Sequence, residues 1–210
     1  MRSLPVIILG AGGHARVLAD ALKVMGLSIK GVTDAVPVKG LPGVPLLGDD
    51  SILDSISPDD IVLVNGLGSI ARPALRRRLF EKFKARGFTF QDVVHPSAMI
   101  AEDVRLGEGV QVMAGAVIQT GSVISDNAII NTGALVDHDC EIGAHTHLAP
   151  GVTLSGRVTI GEESHVGVAA SVIQSIRIGS RALIGAGSVV VRNVPESALV
   201  YGNPAKEIDS

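Results

Sequence analysis

The sequence predicts two units of different fold class, an α/β unit of Rossmann-like type over residues 1–94 and an all-β solenoid over residues 95–210. An aliphatic residue recurs every six residues through most of the second half. Residues 91–200 contain no Phe, Tyr or Trp, although 46% of the whole chain is hydrophobic. The first half instead alternates strand-like apolar runs with helix-like stretches, which is typical of a βαβ series.

The repeat of the second half consists of sixteen Ile, Leu or Val residues in a single phase, from Ile100 to Val190. Four residues after each of them comes a second series of mostly small residues, such as Ala116, Ser122 and Ala134. A period of six fits neither a helix nor a plain alternating strand. It fits short extended segments joined by regular turns, with three segments per coil and backbone pairing between coils. We therefore expect a narrow interior column of aliphatic side chains.

The N-terminal unit has strand-like runs at residues 6–9, 29–32, 61–64 and 88–94, and a helical pattern that continues to about Met25. Four of the five aromatic residues of the chain lie near its end and predict a small conventional core there: Phe80, Phe83, Phe88 and Phe90.

A glycine-rich segment joins the first strand to the first helix, where residues 10–15 read GAGGHA. Glycine permits a tight turn there, and the amide groups at a helix start can face a phosphate. Asp34 follows the second strand, where a carboxylate can accept a hydrogen bond from a ribose or a base. The segment predicts a phosphate or nucleotide contact, with a purely structural turn as the alternative. Hydride chemistry is not expected, because the solenoid leaves no room for a second catalytic domain.

Composition and charge exclude several classes of protein. The hydrophobic content and a formal net charge of −3 do not fit a disordered chain. The single cysteine, Cys140, excludes an intramolecular disulfide, and the lack of a signal-peptide pattern leads us to expect a cytoplasmic protein. No apolar run approaches the ~20 residues of a membrane span. The absence of lysine between Lys84 and Lys206 argues against a nucleic-acid partner.

Hexads such as those that begin Ile142-Gly143 and Ile160-Gly161 resemble the hexapeptide-repeat acyltransferases, whose fold is a left-handed parallel β-helix with eighteen residues per coil. With the N-terminal glycine loop, the chain resembles the NeuD/PglD-like family of sugar O-/N-acyltransferases over essentially its whole length. The resemblance implies a homotrimer that uses acetyl-CoA, without a metal, to acetylate the amino group of a UDP-, GDP- or dTDP-linked 4-amino-dideoxy sugar. O-acetylation of a sialic acid or similar hydroxyl, and a non-catalytic nucleotide-binding solenoid, are the alternatives.

The densest polar cluster of the solenoid spans residues 137–141, which read DHDCE. His138 is the third residue of its hexad and so belongs to a turn rather than to the aliphatic column. Acetyl transfer needs a group that accepts a proton near neutral pH, and histidine titrates there. Either Asp137 or Asp139 could hold the tautomer of the imidazole. The family places its base in such a motif with the acidic neighbour directly after it, which implies His138 as base beside Asp139. A surface histidine in a polar turn is the alternative.

The same resemblance assigns binding residues. His147 follows His138 by nine residues, the offset of the family's second functional histidine, which contacts the acetyl donor. In the family, CoA lies along a groove between adjacent β-helices and bonds to their backbone. The residues so implied are His147, Gly143 and Gly161 for acetyl-CoA, and Gly12, Gly13, His14 and Asp34 for the nucleotide-sugar.

His165 follows His147 by eighteen residues, which stacks the two imidazoles one coil apart. Stacked imidazoles could bind a metal, but the spacing of the solenoid histidines does not match that of hexapeptide carbonic anhydrases, so no metal is expected. His145 and His165 are interpreted as ordinary turn or surface residues. Cys140 takes the small fifth place of its hexad, which favours packing over a covalent acetyl-cysteine. Beyond its possible contact with the imidazole of His138, Asp137 is assigned no function.

Overall fold

In the computed structural model, which describes residues 4–36, 40–68 and 73–208, the chain divides into two units, Met1–Pro96 and Ser97–Ser210. The N-terminal unit contains β1 (Val6–Leu9), α1 (Gly13–Val24), β2 (Ile29–Thr33), a 3₁₀ helix (Asp50–Ser55), β3 (Val62–Asn65), α2 (Pro73–Lys84) and β4 (Val93–Val94). Its sheet has the order β2-β1-β3 with parallel pairing. In the described part of the chain, neither α-helix has the length and hydropathy that crossing a membrane requires.

The run at residues 88–94 differs from the expected fourth strand. It meets the three-stranded sheet at a single bridge between Phe90 and Leu63, and only its last residues form a strand, β4. Phe88 and Phe90 are 1% and 2% exposed. Because these alternate side chains enter the core, the run is extended although it pairs with β3 at one point only.

The predicted aromatic core of the N-terminal unit is confirmed. Phe80, Phe83, Phe88 and Phe90 belong to one buried cluster with aliphatic residues of β1 and β3. The ring centroids of Phe80 and Phe90 are 4.5 Å apart, and Phe83 meets Phe88 edge to face at 5.8 Å. Rings of this size bury a large apolar area each, which a sheet of three short strands needs for its stability.

The second unit is a parallel β-solenoid of sixteen two-residue strands followed by a hairpin. In chain order the strands are β5 (Met99–Ile100), β6 (Arg105–Leu106), β7 (Gln111–Val112), β8 (Val117–Ile118), β9 (Val123–Ile124), β10 (Ile129–Ile130), β11 (Leu135–Val136), β12 (Glu141–Ile142), β13 (His147–Leu148), β14 (Thr153–Leu154), β15 (Thr159–Ile160), β16 (His165–Val166), β17 (Ser171–Val172), β18 (Arg177–Ile178), β19 (Leu183–Ile184), β20 (Val189–Val190), β21 (Leu199–Gly202) and β22 (Ala205–Glu207).

Every third strand joins the same sheet, which gives the solenoid three faces. The first face holds β5, β8, β11, β14, β17 and β20, the second β6, β9, β12, β15 and β18, and the third β7, β10, β13, β16, β19 and β21, with β22 antiparallel to β21. Paired residues of neighbouring coils are eighteen apart, as in Ile130 and Leu148. Each of the sixteen strands ends on one member of the aliphatic series, and all members except Ile100 and Leu106 are buried. The predicted column is confirmed.

Polar side chains at the fifth place of a hexad form a second set of bonds between coils. Thr146 Oγ1 donates to the carbonyl oxygen of Gly161 at 3.0 Å, and Ser164 Oγ donates to that of Gly179 at 2.9 Å. The acceptor lies fifteen residues after the donor in both cases. These buried hydroxyls therefore satisfy their own hydrogen-bonding capacity inside the solenoid, as buried polar groups must.

Candidate active site

The turn between β11 and β12 carries the polar cluster that the sequence singles out. Nδ1 of His138 lies 2.8 Å from Oδ2 of Asp139, and the two side chains are 47% and 59% exposed. An ionised carboxylate only accepts hydrogen bonds, so Nδ1 is the donor and carries a hydrogen. In the neutral form of the ring, Nε2 then keeps its lone pair, which is the arrangement that a general base requires.

Asp137 contacts the backbone of the turn and not the ring. Its Oδ1 accepts a hydrogen bond from the N–H of His138 at 2.7 Å. Of the two aspartates that could have held the imidazole tautomer, Asp139 is thus the one in contact with the ring. Asp139 has a φ of +57°, and the fourth residue of most hexads shares this left-handed conformation. The turn that carries His138 therefore follows the regular geometry of the solenoid.

Two glycines in the neighbouring coils make room for the His138–Asp139 pair. A β-carbon at Gly156, eighteen residues after His138, would collide with Nε2 and Cε1 of the imidazole. A β-carbon at Gly121, eighteen residues before Asp139, would collide with Oδ1 of that carboxylate. The imidazole thus lies directly against the main chain of Gly156. The eighteen-residue spacing relates both glycines to the pair, but nothing in the sequence marks these two among the many small residues of the repeat.

His147 and His165 pair on β13 and β16 of the third face, so their predicted stacking is confirmed. Their ring centroids are 4.9 Å apart in an edge-to-face arrangement. His147 is 3% exposed, and its Nε2 lies 3.0 Å from Nδ2 of Asn131. In the described residues, Nδ1 of His165 is buried without a hydrogen-bond partner, and burial lowers the pKa of this imidazole. His138 lies at the corner between the first and second faces, so one chain does not bring His138 and His147 side by side.

His145 occupies a turn, as expected, but it is not a surface residue. It is 8% exposed, and its Nδ1 lies 2.9 Å from Nδ2 of Asn127 in the preceding coil. Cys140 is also buried, and its Sγ lies 3.4 Å from the carbonyl oxygen of Ser155. Burial raises the pKa of this thiol, which disfavours the thiolate that covalent catalysis would need.

Gly143 and Gly161 lie at the second place of hexads on the second face. A β-carbon at Gly143 would be 2.6 Å from the backbone nitrogen of Glu162, and one at Gly161 would collide with Ser180. Close stacking of successive coils therefore requires glycine at both places. An open groove of about 320 Å³ runs beside Gly143 and is bordered by the charged side chains of Arg105 and Glu141.

The glycine loop of the N-terminal unit leaves open space at the start of α1. Gly10 has a φ of +94°, and a β-carbon there would be 2.9 Å from Cδ2 of Leu67. Side-chain positions at Gly12 and Gly13 have no neighbouring atom within 4 Å. The first turn of α1 has no acidic residue. A helix start that is open and has no acidic residue in its own first turn is suited to a phosphate.

Asp34 fastens this loop to the end of β2. Its Oδ2 accepts a hydrogen bond from the N–H of Ala11 at 2.8 Å, and its Oδ1 accepts one from Val36 at 2.9 Å. Each carboxylate oxygen has two lone pairs, so acceptor capacity remains for a ribose or a base. His14 is half-buried in the first turn of α1.

The segment after β3 completes the same edge of the sheet and depends on a buried arginine. Nη1 of Arg76 donates to the carbonyl oxygens of Asn65 and Leu67 at 2.9 and 2.7 Å. Arg76 is 1% exposed, and burial lowers the pKa of its guanidinium to about 9. Gly68 brings the segment close to the loop, since its β-carbon would be 3.8 Å from Cβ of His14. No pattern in the sequence points to Arg76, because a basic residue on a helix is usually solvated.

Within residues 4–36, 40–68 and 73–208, no group of three or more His, Cys, Asp or Glu side chains is arranged to hold a metal ion.

Comparisons with known proteins agree with both units. The PglD N-terminal domain family matches residues 5–83, and the bacterial transferase hexapeptide family, with six repeats, matches residues 121–156. A histidine-to-asparagine mutant of perosamine N-acetyltransferase from Caulobacter crescentus, in complex with CoA and GDP-perosamine, is 43% identical with a TM-score of 0.94. That alignment covers 98% of this chain and 97% of the other.

Two further solved structures are similar. The acetyltransferase domain of PglB from Neisseria gonorrhoeae FA1090, in complex with acetyl coenzyme A, is 37% identical, has a TM-score of 0.94 and covers 98% of this chain and 100% of its own. WeeI from Acinetobacter baumannii AYE shares the fold at 22% identity, with a TM-score of 0.86 and coverage of 98% and 100%. The expected α/β unit and left-handed parallel β-helix are confirmed. The chain belongs to the NeuD/PglD-like family of sugar acyltransferases.

Proposed function

We propose that this protein is an acetyl-CoA-dependent N-acetyltransferase that acts on the amino group of a nucleotide-linked 4-amino-dideoxy sugar. The observation that carries the proposal is the near full-length similarity to perosamine N-acetyltransferase, whose structure holds CoA and GDP-perosamine. The PglB domain, with acetyl coenzyme A, supports the same donor. Because both relatives are acetyltransferases and one is an N-acetyltransferase by name, we favour transfer to nitrogen over transfer to a hydroxyl.

In the proposed reaction, His138 is the general base. The sugar amine attacks the thioester carbonyl carbon, and Nε2 of His138 takes the proton that the nitrogen loses as the C–N bond forms. The hydrogen bond from Nδ1 to Asp139 orients the ring and stabilises its positive charge. The C–S bond then breaks, and the CoA sulfur takes the proton from the imidazolium. A backbone N–H that faces the developing oxyanion would lower the barrier further.

The binding residues are part of the same proposal. Gly12, Gly13 and the first turn of α1 would hold the phosphates of the nucleotide, with Asp34 on the ribose or base and His14 beside them. Gly143 and Gly161 would contact CoA through backbone groups. His147 is proposed to contact the acetyl donor.

We also propose that three chains assemble through the first face of the solenoid. Its outward side chains include Met99, Val117, Leu135 and Val189, and Met99 and Leu135 are 68% and 42% exposed. Exposed aliphatic side chains along one face are typical of a surface that another chain covers. His138 lies at an edge of this face, so a neighbouring chain would complete the cleft beside it. Because CoA thioesters and nucleotide-sugars are cytoplasmic metabolites, we expect the reaction to take place in the cytoplasm.

The proposal is tested by incubating the protein with acetyl-CoA and GDP-, UDP- or dTDP-linked 4-amino sugars. We expect thiol release with at least one of them and a product that has gained one acetyl group. The matched control is the same nucleotide-sugar with a hydroxyl in place of the amine, which should release no thiol. Release with the hydroxyl compound alone would favour O-acetylation, and no release with any compound would contradict the proposal.

A further inference from the structure

The hydroxyl of Ser122 bridges the two ends of the turn that carries His138. Its Oγ donates a hydrogen bond to the carbonyl oxygen of Asp137 at 3.0 Å and accepts one from the N–H of Cys140 at 3.1 Å. Asp137 directly precedes the His138–Asp139 pair, and Cys140 directly follows it. Ser122 itself is fully buried, with 0% exposure.

This pair of hydrogen bonds distinguishes Ser122 from other residues at the fifth place of a hexad. Thr146 and Ser164 also occupy the fifth place of a hexad, and each donates to a carbonyl oxygen one coil further on. Among the hydrogen bonds of the described residues, neither of their hydroxyls accepts one from a backbone N–H. Ser188, at the fifth place of a later hexad, does accept one, from the N–H of Gly202 at 3.2 Å. Among the fifth-place hydroxyls of the described residues, Ser122 is the one that both donates to a carbonyl oxygen and accepts from an N–H, and both bonds belong to the turn with the imidazole.

We propose that Ser122 is a positioning residue for His138, an inference that rests on the proposed role of His138 as general base. The hydroxyl fixes the backbone on both sides of the His138–Asp139 pair. It thereby sets the direction in which the imidazole leaves the solenoid. Displacement of a catalytic group by about 1 Å can cost roughly 10²-fold in rate, so a buried hydroxyl without contact to substrate can still control the reaction.

The test compares Ser122→Ala with Ser164→Ala. Both substitutions remove a buried hydroxyl from the fifth place of a hexad together with its bond to a carbonyl oxygen, but only the first loosens the His138 turn. We expect Ser122→Ala to lower kcat by about 10- to 100-fold, with KM for acetyl-CoA changed by less than about twofold. Ser164→Ala should leave kcat within about twofold of the wild type. Equal effects of the two substitutions on kcat would overturn the inference.

A conservative substitution separates positioning from packing. Ser122→Thr keeps the hydroxyl, and Thr146 demonstrates that threonine fits the fifth place and donates to the next coil. We expect Ser122→Thr to recover most of kcat. A Ser122→Thr protein that is folded yet as slow as Ser122→Ala would contradict the inference.

A readout that does not depend on activity keeps this test apart from that of the proposed function. NMR spectra of protein labelled with ¹⁵N-histidine report the environment of the His138 imidazole, with its signals assigned by His138→Asn. We expect these signals to shift or broaden in Ser122→Ala but not in Ser164→Ala. If the wild type transfers no acetyl group, the proposed function fails while this measurement still decides the inference. Unchanged His138 signals in a folded Ser122→Ala protein would overturn it.

Discussion

The position of His138 depends on two glycines in the neighbouring coils. Gly156 and Gly121 lie one coil after and one coil before the His138–Asp139 pair, and a β-carbon at either would collide with it. A flat imidazole against a bare main chain has few alternative rotamers, because the coil itself blocks rotation in one direction. Preorganisation of this kind is what a proton acceptor in a half-exposed turn needs.

Replacement of His138 is the first prediction. His138→Asn keeps a similar size but removes the lone pair that accepts the proton, so we expect the rate of acetyl transfer to fall by about 10²- to 10⁴-fold. Binding of CoA, measured by isothermal titration calorimetry, should be unchanged. The proposed role of His138 would be wrong if the variant transferred acetyl groups at the wild-type rate.

Gly156→Ala tests whether close contact with the main chain of Gly156 holds the His138 imidazole in place. The new methyl group must push the imidazole out of its place, so kcat should fall by about 10- to 100-fold although His138 is intact. Gly179→Ala is the matched control, since its β-carbon meets the backbone of Glu196 and lies away from the His138 turn. Both variants should lose thermal stability, but only Gly156→Ala should lose kcat in a protein that is still folded. Similar kcat values for the two variants would contradict this account.

At the scale of single residues, the contact between His138 and Asp139 was predictable, whereas the surroundings of the pair were not. The acid-flanked histidine stands out within one hexad, and its role as general base stays a prediction. The contacts of Ser122, Gly121 and Gly156 connect different coils, and small residues occur throughout a repeat of this kind. The sequence alone therefore offers no reason to choose these three until the stacking of the coils is known.

The strands of the solenoid were predictable because one interior side chain per segment fixes the phase of every segment. Each of the sixteen strands ends on the residue that the period selects. The N-terminal unit was less predictable at its ends, where β3 begins one residue later than expected and residues 88–94 form only a bridge and a two-residue strand. An apolar run can be buried by packing as well as by sheet pairing, and periodicity does not distinguish the two.

The half-buried imidazole of His165, which pairs with His147 on the third face, leads us to expect that acid lowers the free energy of unfolding. Burial lowers the pKa of His165 from its ordinary value of 6.5. As the pH falls below 6.5, the unfolded chain therefore takes up a proton more readily than the folded one, and the free energy of unfolding decreases until the pH passes the lowered pKa. His165→Leu removes this effect, and the adjacent Leu183 of β19 indicates that leucine suits this face.

Chemical unfolding of the wild type and of His165→Leu, each at pH 8 and at pH 5.5, measures how much free energy of unfolding each protein loses in acid. We expect the wild type to lose more stability between these two pH values than His165→Leu does. Comparison of the two proteins at pH 8 provides the baseline for the substitution itself. Parallel losses in the two proteins would contradict the prediction.

For the whole molecule, the proposed trimer depends on the apolar first face. Leu135→Asp places a carboxylate on this face, and burial of an unpaired charge costs several kcal/mol by order of magnitude. We expect light scattering to give three times the chain mass for the wild type and the mass of a single chain for Leu135→Asp. Thr159→Asp on the second face is the control and should leave the mass unchanged. A wild type of single-chain mass would contradict the proposed assembly.

The regular stacking of coils has a consequence for how such a chain tolerates length changes. Deletion of one residue between two strands would turn every later aliphatic side chain out of the interior, and the packed column beyond that point would be lost. Loss or duplication of eighteen residues would merely remove or add one storey. Related proteins should therefore differ in length by whole coils of eighteen residues, while the coils around His138 keep their order.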